Sequence, residues 1–189
     1  MKIVNVVGSP RSKGNSAAIA GMLLENIAGK GAQVKTYELN KLFFRGCQGC
    51  MKCKNESEKC TVEDALTDVL EDVRTSDIVI LSSPVYFQEI TGQAKSFTDR
   101  CYSFLTKDYR TNPKPGRLAP GKKLVFIITQ GNPDESTFAA LPQKYDRMFK
   151  RFGFDEVYPV VAAGLAPDAE PKLRPDIIEK IKKTAGQLQ

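Results

Sequence analysis

Short runs of strand-forming residues alternate with amphipathic segments along this chain of 189 residues. Five such runs, most of them apolar throughout, predict strands over residues 3–7, 33–39, 77–81, 124–129 and 156–162. Between and after them, apolar residues recur every three or four positions, which predicts helices. Apolar strands that alternate with helices are typical of a parallel sheet covered on both faces. The pattern therefore predicts an α/β domain.

Several helix boundaries can be placed from local signals. A loop at residues 9–14 precedes a first helix, which we expect Asn15 or Ser16 to cap. Thr61, with Asp64 three residues further on, resembles a capping box that would open a second helix. Further helices are predicted from near Gly92, over residues 141–152, and from Pro175 to about residue 185.

These elements predict one domain over residues 1–189, with neither internal repeats nor a linker. Five strand–helix units indicate a doubly wound five-stranded parallel sheet, flavodoxin-like, with strand order 2-1-3-4-5. A stretch rich in proline and glycine, residues 112–121, is predicted to form a long loop before the fourth strand. Ligands of such sheets bind beyond the carboxyl ends of the strands, where the strand order reverses. Three loops of this chain are predicted at that edge.

Composition excludes several kinds of chemistry. The chain has no histidine, which rules out histidine acid–base catalysis, Ser-His-Asp triads and histidine ligation of haem. It has no tryptophan, so stacking on a cofactor would fall to tyrosine or phenylalanine. No apolar run approaches the ~20 residues of a membrane span, and the N-terminal segment is predicted as a strand rather than a signal peptide. We therefore expect a cytoplasmic protein with reduced thiols and no membrane association.

The chain carries a formal net charge of +6, from 28 basic and 22 acidic residues. Much of the positive charge lies between Lys107 and Lys123 and after Pro171. Such a surface would steer an acidic partner such as a ferredoxin. Nucleic-acid binding is not expected, because no basic motif is interleaved with aromatic residues. A solvated basic face without a partner accounts equally well for the charge.

The first loop at the predicted edge, residues 8–16, follows a strand and opens a helix. A helix N-terminus favours a phosphate, because free N–H groups and the positive end of the dipole meet there. Hydroxyl and amide donors flank this terminus, and Arg11 adds charge. The loop matches neither Gly-x-Gly-x-x-Gly nor a Walker sequence, so it fits a monophosphate such as that of FMN better than a pyrophosphate. An ordinary polar turn that caps a helix is the alternative interpretation.

The second and third loops offer a place for a flat ring. In residues 83–87, Pro84 lacks an N–H, and the residues after it can turn their backbone groups toward a heteroaromatic ring. Tyr86 or Phe87 would pack against that ring, although a strand end with two core aromatics is the alternative. In residues 129–132, Gly131 permits close backbone approach. Three such loops at one sheet edge are less readily explained by chance than any one of them.

Four of the five cysteines follow the pattern Cys-x2-Cys-x2-Cys-x6-Cys, at Cys47, Cys50, Cys53 and Cys60. A [4Fe–4S] cube needs four thiolates, and a tight loop presents three of them. Free or partly oxidised thiols, a zinc site and a disulfide are the alternatives, but the triple spacing does not suit the separated cysteine pairs of a structural zinc site. Cys101, on an apolar helix face, is interpreted as a core residue.

Together these segments resemble a known family. Gly-Ser-Pro-Arg…Gly-Asn-Ser, Ser-Pro-Val-Tyr-Phe and the Gln-Gly after the fourth strand resemble the NADPH-dependent FMN reductase family of flavodoxin-like proteins, and the cysteine pattern resembles its iron–sulfur flavoprotein subgroup. The resemblance covers nearly the whole chain. It implies an FMN site formed by Ser9, Pro10, Arg11, Gly14, Asn15, Ser16, Pro84, Val85, Tyr86, Phe87, Gln130 and Gly131. It also implies a [4Fe–4S] cluster on the four cysteines of residues 46–61, and a homodimer or homotetramer.

Three functions follow from this reading. The first is an oxidoreductase with FMN and a [4Fe–4S] cluster that passes electrons between a carrier such as ferredoxin or NAD(P)H and a small-molecule acceptor. The second is an NAD(P)H-dependent FMN or quinone reductase without a cluster. The third is a non-enzymatic redox sensor whose thiols and flavin switch an interaction. No side chain is expected to act as a catalytic acid or base, because the cofactor carries the chemistry.

Overall fold

The structure, a computed structural model, describes residues 1–29 and 31–188. Its strands are β1 (Lys2–Val7), β2 (Gln33–Glu38), β3 (Ile78–Tyr86), β4 (Glu89–Ile90), β5 (Lys123–Thr129) and β6 (Glu156–Ala162). Five of them form a parallel sheet in the order β2-β1-β3-β5-β6, while β4 pairs antiparallel with β3. With the two-residue β4 set aside, this is the predicted order 2-1-3-4-5, so the flavodoxin-like fold is confirmed.

Within the described residues, six α-helices alternate with the strands. They are α1 (Asn15–Ile27), α2 (Lys52–Asn55), α3 (Leu66–Thr75), α4 (Gly92–Arg100), α5 (Ala140–Phe152) and α6 (Pro175–Leu188). Helices α3, α4 and α5 cover one face of the sheet in a cluster that includes Phe97, Phe126 and Phe149. Helices α1 and α6 cover the other face. Both faces of the central strands are therefore buried, as their apolar sequences predicted.

Two predictions about helix capping are wrong. The N-cap of α1 is Gly14, not Asn15 or Ser16, and neither side chain caps the helix. The capping box at Thr61 is absent as well, because α3 begins at Leu66. Instead, Asp64 accepts a hydrogen bond from the Leu66 N–H at 2.9 Å, and its second oxygen is used elsewhere. In both places the local rule found the right region but assigned the cap to the wrong residue.

The second predicted loop is mostly strand. Residues 83–86 continue β3, and a two-residue turn at Phe87 and Gln88 leads into β4. Both turn residues are left-handed, with φ of 46° and 70°. That backbone matches the twist of a tight hairpin, but only glycine, asparagine or aspartate adopts it at low cost, so the sequence did not signal this turn.

The long loop before β5 packs against the 3-10 turn Cys101–Phe104 that follows α4. Leu105 and Gly116 form an isolated antiparallel bridge, and the Arg117 N–H donates to the Phe104 carbonyl at 2.7 Å. Cys101 is buried in the core, as predicted. Among the described residues, no helix has both the length and the apolar character that crossing a membrane requires.

Candidate cofactor site

The loop after β1 is a tight turn built around Ser9. The Ser9 hydroxyl accepts the Arg11 N–H at 3.1 Å and donates to the Arg11 carbonyl at 2.9 Å. The Gly14 N–H donates to the same carbonyl at 2.9 Å. A Cβ on Gly14 would lie 2.8 Å from the Ser9 hydroxyl, closer than real Cβ contacts come. The backbone therefore wraps tightly around the N-terminus of α1.

Among the described residues, no side chain satisfies the N-terminus of α1. No side chain caps the helix, and its first turn contains no acidic residue. The Ser16 hydroxyl is buried, at 1% exposure of the residue, yet no group of the described chain hydrogen-bonds to it. Free helix N–H groups beside an unpartnered buried hydroxyl suit an anion. Because neither Asn15 nor Ser16 caps α1 as predicted, the N–H donors of its first turn have no side-chain partner among the described residues.

A segment that the sequence did not single out closes this loop. The loop after β6 brings its carbonyls to the α1 terminus, where Asn15 Nδ2 donates to Ala166 O at 2.8 Å. Arg11 Nη1 donates to Pro167 O at 3.0 Å. The signal was available, because this loop also follows the carboxyl end of a parallel strand. Arg11 and Asn15 are thus held in place beside the terminus by their own chain.

The loop after β5 joins the same edge. Gln130 is buried, and its Nε2 donates to Asn132 O at 3.1 Å and Asp134 O at 2.8 Å, whereas its Oε1 has no partner in the part of the chain that the structure describes. The Leu165 N–H donates to the Gln130 carbonyl at 3.1 Å, so the loops after β5 and β6 are tied together. Gly131 is exposed, and a side chain there would meet almost nothing.

The β3–β4 hairpin projects from this edge. Pro84 and Val85 are half-buried. Tyr86 is 45% exposed and Phe87 fully exposed. The structure thus brings the first and third predicted loops into contact through the loop after β6, and it places both predicted aromatics in solvent. Their role against a flavin ring stays a prediction.

Helix α4 links the first loop to the cysteines. At its start, Thr91 Oγ1 donates to Gly8 O at 2.6 Å. A Cβ on Gly8 would lie 2.7 Å from the Ala94 Cβ, so only glycine allows this approach. At its end, Arg100 Nε donates to Cys60 Sγ at 3.0 Å. Nine residues of helix therefore separate the two contacts, about 14 Å along the axis.

All four predicted ligand cysteines line one cavity. Cys47 and Cys50 are exposed, Cys60 is half-buried, and Cys53 is buried. The cavity measures about 20 Å³, room for about one water molecule, so its walls lie close together. Within the described residues, no three His, Cys, Asp or Glu side chains are arranged to hold a single metal ion. The four cysteines nevertheless line this one cavity, and their role as cluster ligands stays a prediction.

Two buried cations, Lys54 and Arg100, flank this cavity. Lys54 Nζ donates to Tyr102 O at 2.6 Å and Leu105 O at 2.7 Å and lies 4.1 Å from the Tyr102 ring centroid. Burial lowers the pKa of Lys54. Burial also raises the pKa of the Cys53 thiol, against the opposing charge of Lys54. Cys101 lies outside the cavity, and burial raises its thiol pKa strongly. Positive charge is thus concentrated beside the four cavity cysteines.

Two further cavities contain none of the predicted site residues. One lies beside β6, between α5 and α6. The other is a groove beside the long loop before β5. Five basic residues line this groove: Arg110, Lys114, Arg147, Lys150 and Arg151. We call it the basic groove. Tyr109 packs beneath its Arg110 and Arg151 side chains and edge-on against Tyr102, which lines the cysteine cavity.

Comparison with known proteins gives one family match over nearly the whole chain. The sequence profile of a family described as having a flavodoxin-like fold matches residues 1–187. An iron–sulfur flavoprotein of Archaeoglobus fulgidus is 30% identical over 167 residues, which is 88% of this chain and 70% of that protein. Another, from Methanocaldococcus jannaschii, is 35% identical over 100 residues, 53% of this chain and 51% of that protein.

An FMN-dependent NADH:quinone oxidoreductase of Pseudomonas aeruginosa is 32% identical over 124 residues, 64% of this chain and 60% of that protein. Among solved structures, an NAD(P)H:quinone oxidoreductase of Methanothermobacter marburgensis superposes with a TM-score of 0.76, covering all of this chain and 96% of that one. An FMN-dependent NADH-azoreductase of Bacillus anthracis, in complex with FMN, gives 0.74, covering 100% and 99%. Both are 15% identical to this chain, so they show the shared fold alone.

Proposed function

The chain belongs to the flavodoxin-like NADPH-dependent FMN reductase family, with iron–sulfur flavoproteins among its relatives, and on this premise we propose that it is an oxidoreductase that binds FMN and a [4Fe–4S] cluster. It would pass electrons from a carrier such as ferredoxin or NAD(P)H to a small-molecule acceptor. The observation that carries the proposal is the gathering of four cysteines around one cavity, one helix length from the loop that follows β1. When bound, FMN and the cluster would supply the electron-transfer chemistry.

The first loop would hold the FMN phosphate. The Ser16 hydroxyl and the free N–H groups of α1 would donate to it, and Gly14 allows the loop to turn tightly around Ser9 beside them. Arg11 and Asn15 already donate to backbone carbonyls, so the phosphate would compete with Pro167 O for the Arg11 guanidinium. The β3–β4 hairpin and the buried Gln130 would line the ring, as the family resemblance implies.

The four cavity cysteines would hold the cluster, and the donor set fits it, because a cube takes one thiolate at each of four corners. The cavity is small, so loading would move its walls apart. Cys47 and Cys50 lie on an exposed stretch that can move outward, whereas Cys53 and Cys60 are anchored on the protein side. Lys54 and Arg100 would offset the negative charge of the thiolates.

The basic groove is the surface that would receive an acidic electron carrier. Its Arg110 and Arg151 side chains lie over Tyr109, and the Tyr109 ring centroid is 5.3 Å from that of Tyr102 on the cavity wall. Only the rings of Tyr109 and Tyr102 would then lie between a docked acidic protein and the cluster. The rate at which such a carrier reduces the cluster should fall as salt rises, because screening weakens the attraction. A rate independent of salt would place the carrier elsewhere.

Metal analysis of anaerobically reconstituted protein tests the proposal. We expect about four irons and four sulfides per chain, released together with FMN on denaturation. Cys50→Ser should lose the iron and keep the FMN, since the two sites use separate residues. Cys101→Ala is the matched control, because Cys101 is the only cysteine outside the cavity, and it should keep both.

Less than about one iron per reconstituted chain would overturn the cluster proposal. FMN retained under those conditions, with NAD(P)H oxidised by a quinone, would instead establish the cluster-free reductase. The relative from Pseudomonas aeruginosa, whose name specifies an FMN-dependent NADH:quinone oxidoreductase, favours that second function over a redox sensor.

A further inference from the structure

Arg100 is the most completely buried charged side chain beside the cysteines. Its side chain has 0% exposure, and it ends helix α4. Every nitrogen of its guanidinium has a partner. Nε donates to Cys60 Sγ at 3.0 Å and Nη2 to Val62 O at 2.7 Å. Nη1 donates to Arg45 O at 2.9 Å and to Asp64 Oδ2 at 2.8 Å.

These contacts reach both ends of the cysteine segment. The Arg45 carbonyl lies two residues before Cys47, and the Val62 carbonyl lies two residues after Cys60. One side chain from a distant helix therefore fixes the entry and the exit of residues 46–61. Because Thr91, the N-cap of α4, also donates to Gly8 O, helix α4 fixes the position of the cysteine segment relative to the first loop.

We infer that Arg100 is a positioning residue for the cluster, one that holds Cys60 in place and makes the cluster easier to reduce through its N–H···S hydrogen bond. This inference rests on the proposed function, because it requires the cluster to form. Hydrogen bonds to ligand sulfurs are among the features that set cluster reduction potentials. A donor at Cys60 would stabilise the more negative, reduced state more than the oxidised state.

The planar fork of arginine is what makes this arrangement feasible. Five N–H donors in fixed geometry can serve a sulfur, a carboxylate and two carbonyls at once, whereas the single ammonium of lysine cannot. Asp64 balances the buried charge of the guanidinium, and burial works against the ionised form of Arg100. Hydrogen bonding to Asp64 and the charge of Cys60 outweigh that burial and raise the pKa of Arg100, so it stays charged.

The test is Arg100→Lys, with Arg117→Lys as its matched control. Arg117 also contacts the cysteine segment, but through Cys53 O at 2.9 Å, a carbonyl and not a sulfur. Both changes keep the charge. In an EPR-monitored redox titration of reconstituted protein, Arg100→Lys should lower the reduced-to-oxidised ratio of the cluster about tenfold at a fixed potential, which is about 59 mV for one electron. Arg117→Lys should leave the ratio unchanged, and FMN affinity should be unchanged in both.

Each outcome separates this inference from the proposed function. Wild-type protein with less than about one iron per chain overturns both. A full cluster in Arg100→Lys with the wild-type potential overturns the role of Arg100 and leaves the proposed function standing. Loss of iron with FMN retained supports the positioning role, since Cys60 is then no longer held.

A measurement on the wild type covers the case in which Arg100→Lys does not fold. Protein grown with arginine labelled with ¹⁵N at Nε should show a nitrogen coupling to the reduced cluster in pulsed EPR. The Arg117→Lys protein should show the same coupling. A spectrum without arginine coupling would overturn the inference.

Discussion

Ser16→Ala should weaken FMN binding without weakening the protein. The Ser16 hydroxyl is buried and has no partner in the described chain, so removing it sacrifices no intramolecular hydrogen bond. Alanine is also the better helix former by about 0.5 kcal/mol, and Ser16 lies within α1. The unfolding free energy of the FMN-free protein should therefore stay level or rise by up to about 1 kcal/mol.

The effect on FMN has the opposite sign. A hydrogen bond from a buried hydroxyl to a charged phosphate contributes about 1.5–3 kcal/mol. Its loss should raise the FMN dissociation constant about 10- to 150-fold. Fluorescence titration of the FMN-free protein gives the affinity, and urea denaturation of the same sample gives the stability.

Ser103→Ala is the matched control. The Ser103 hydroxyl is also buried and unpartnered, but it lines the cysteine cavity and not the first loop. This variant should bind FMN as the wild type does. An FMN affinity in Ser16→Ala within about twofold of wild type would show that the phosphate does not contact Ser16. A loss of more than about 1 kcal/mol in the FMN-free protein would mean that the hydroxyl has a partner in solution.

Three further outcomes are expected. Gln88→Gly should raise the unfolding free energy by about 1 kcal/mol, and so the urea midpoint, because Gln88 sits at φ 70° in the β3–β4 turn; an unchanged midpoint would mean that the turn is not left-handed in solution. Burial alone would raise the pKa of Asp72, but hydrogen bonds from Lys2, Lys35 and Tyr37 lower that pKa below the unfolded value of about 3.9. The stability that Asp72 contributes is therefore present above about pH 3.9 and is lost as the pH falls through the lower pKa of the folded protein. Asp72→Asn should therefore be less stable at pH 7 and lose less stability on acidification, and equal pH slopes in urea denaturation would contradict this. Light scattering should give a homodimer or homotetramer, since Tyr86 and Phe87 leave aromatic surface open at the edge of the sheet proposed to hold the flavin; a stable 20.9 kDa monomer at micromolar concentration would refute it.

The pattern of the sequence predicted the fold because that pattern is repeated along the chain. Apolar strands such as residues 124–129 can be recognised from their own residues, and their alternation with helices restricts the topology to a parallel sheet. The spacing of Cys47, Cys50 and Cys53 likewise placed those thiols on one loop without any knowledge of the rest of the chain. The family resemblance then added the cofactors, which residue patterns alone had left open.

The helix-capping predictions failed where the expected capping side chain, or its partner, hydrogen-bonds to a group distant in sequence. Gly14 ends up as the N-cap of α1, because the neighbouring Asn15 donates to a carbonyl 151 residues away. Thr61 has no capping box, because α3 begins only at Leu66, and Asp64 accepts hydrogen bonds from Leu66 and Arg100 instead. In each case the side chain could hydrogen-bond to a local or a distant partner, and tertiary packing brought the distant partner within reach.

The sequence by itself thus determined the order of the strands and placed four cysteines on one short segment, and it predicted the edge of the sheet where a ligand would bind. Only the tertiary structure decided which donors remain free at that edge and which cation reaches Cys60. Periodicity and spacing are properties of neighbouring residues, so they can be read along the chain. The contact between Arg100 and Cys60 spans 40 residues, and it depends on the length of α4 and on how closely Ala94 packs against Gly8.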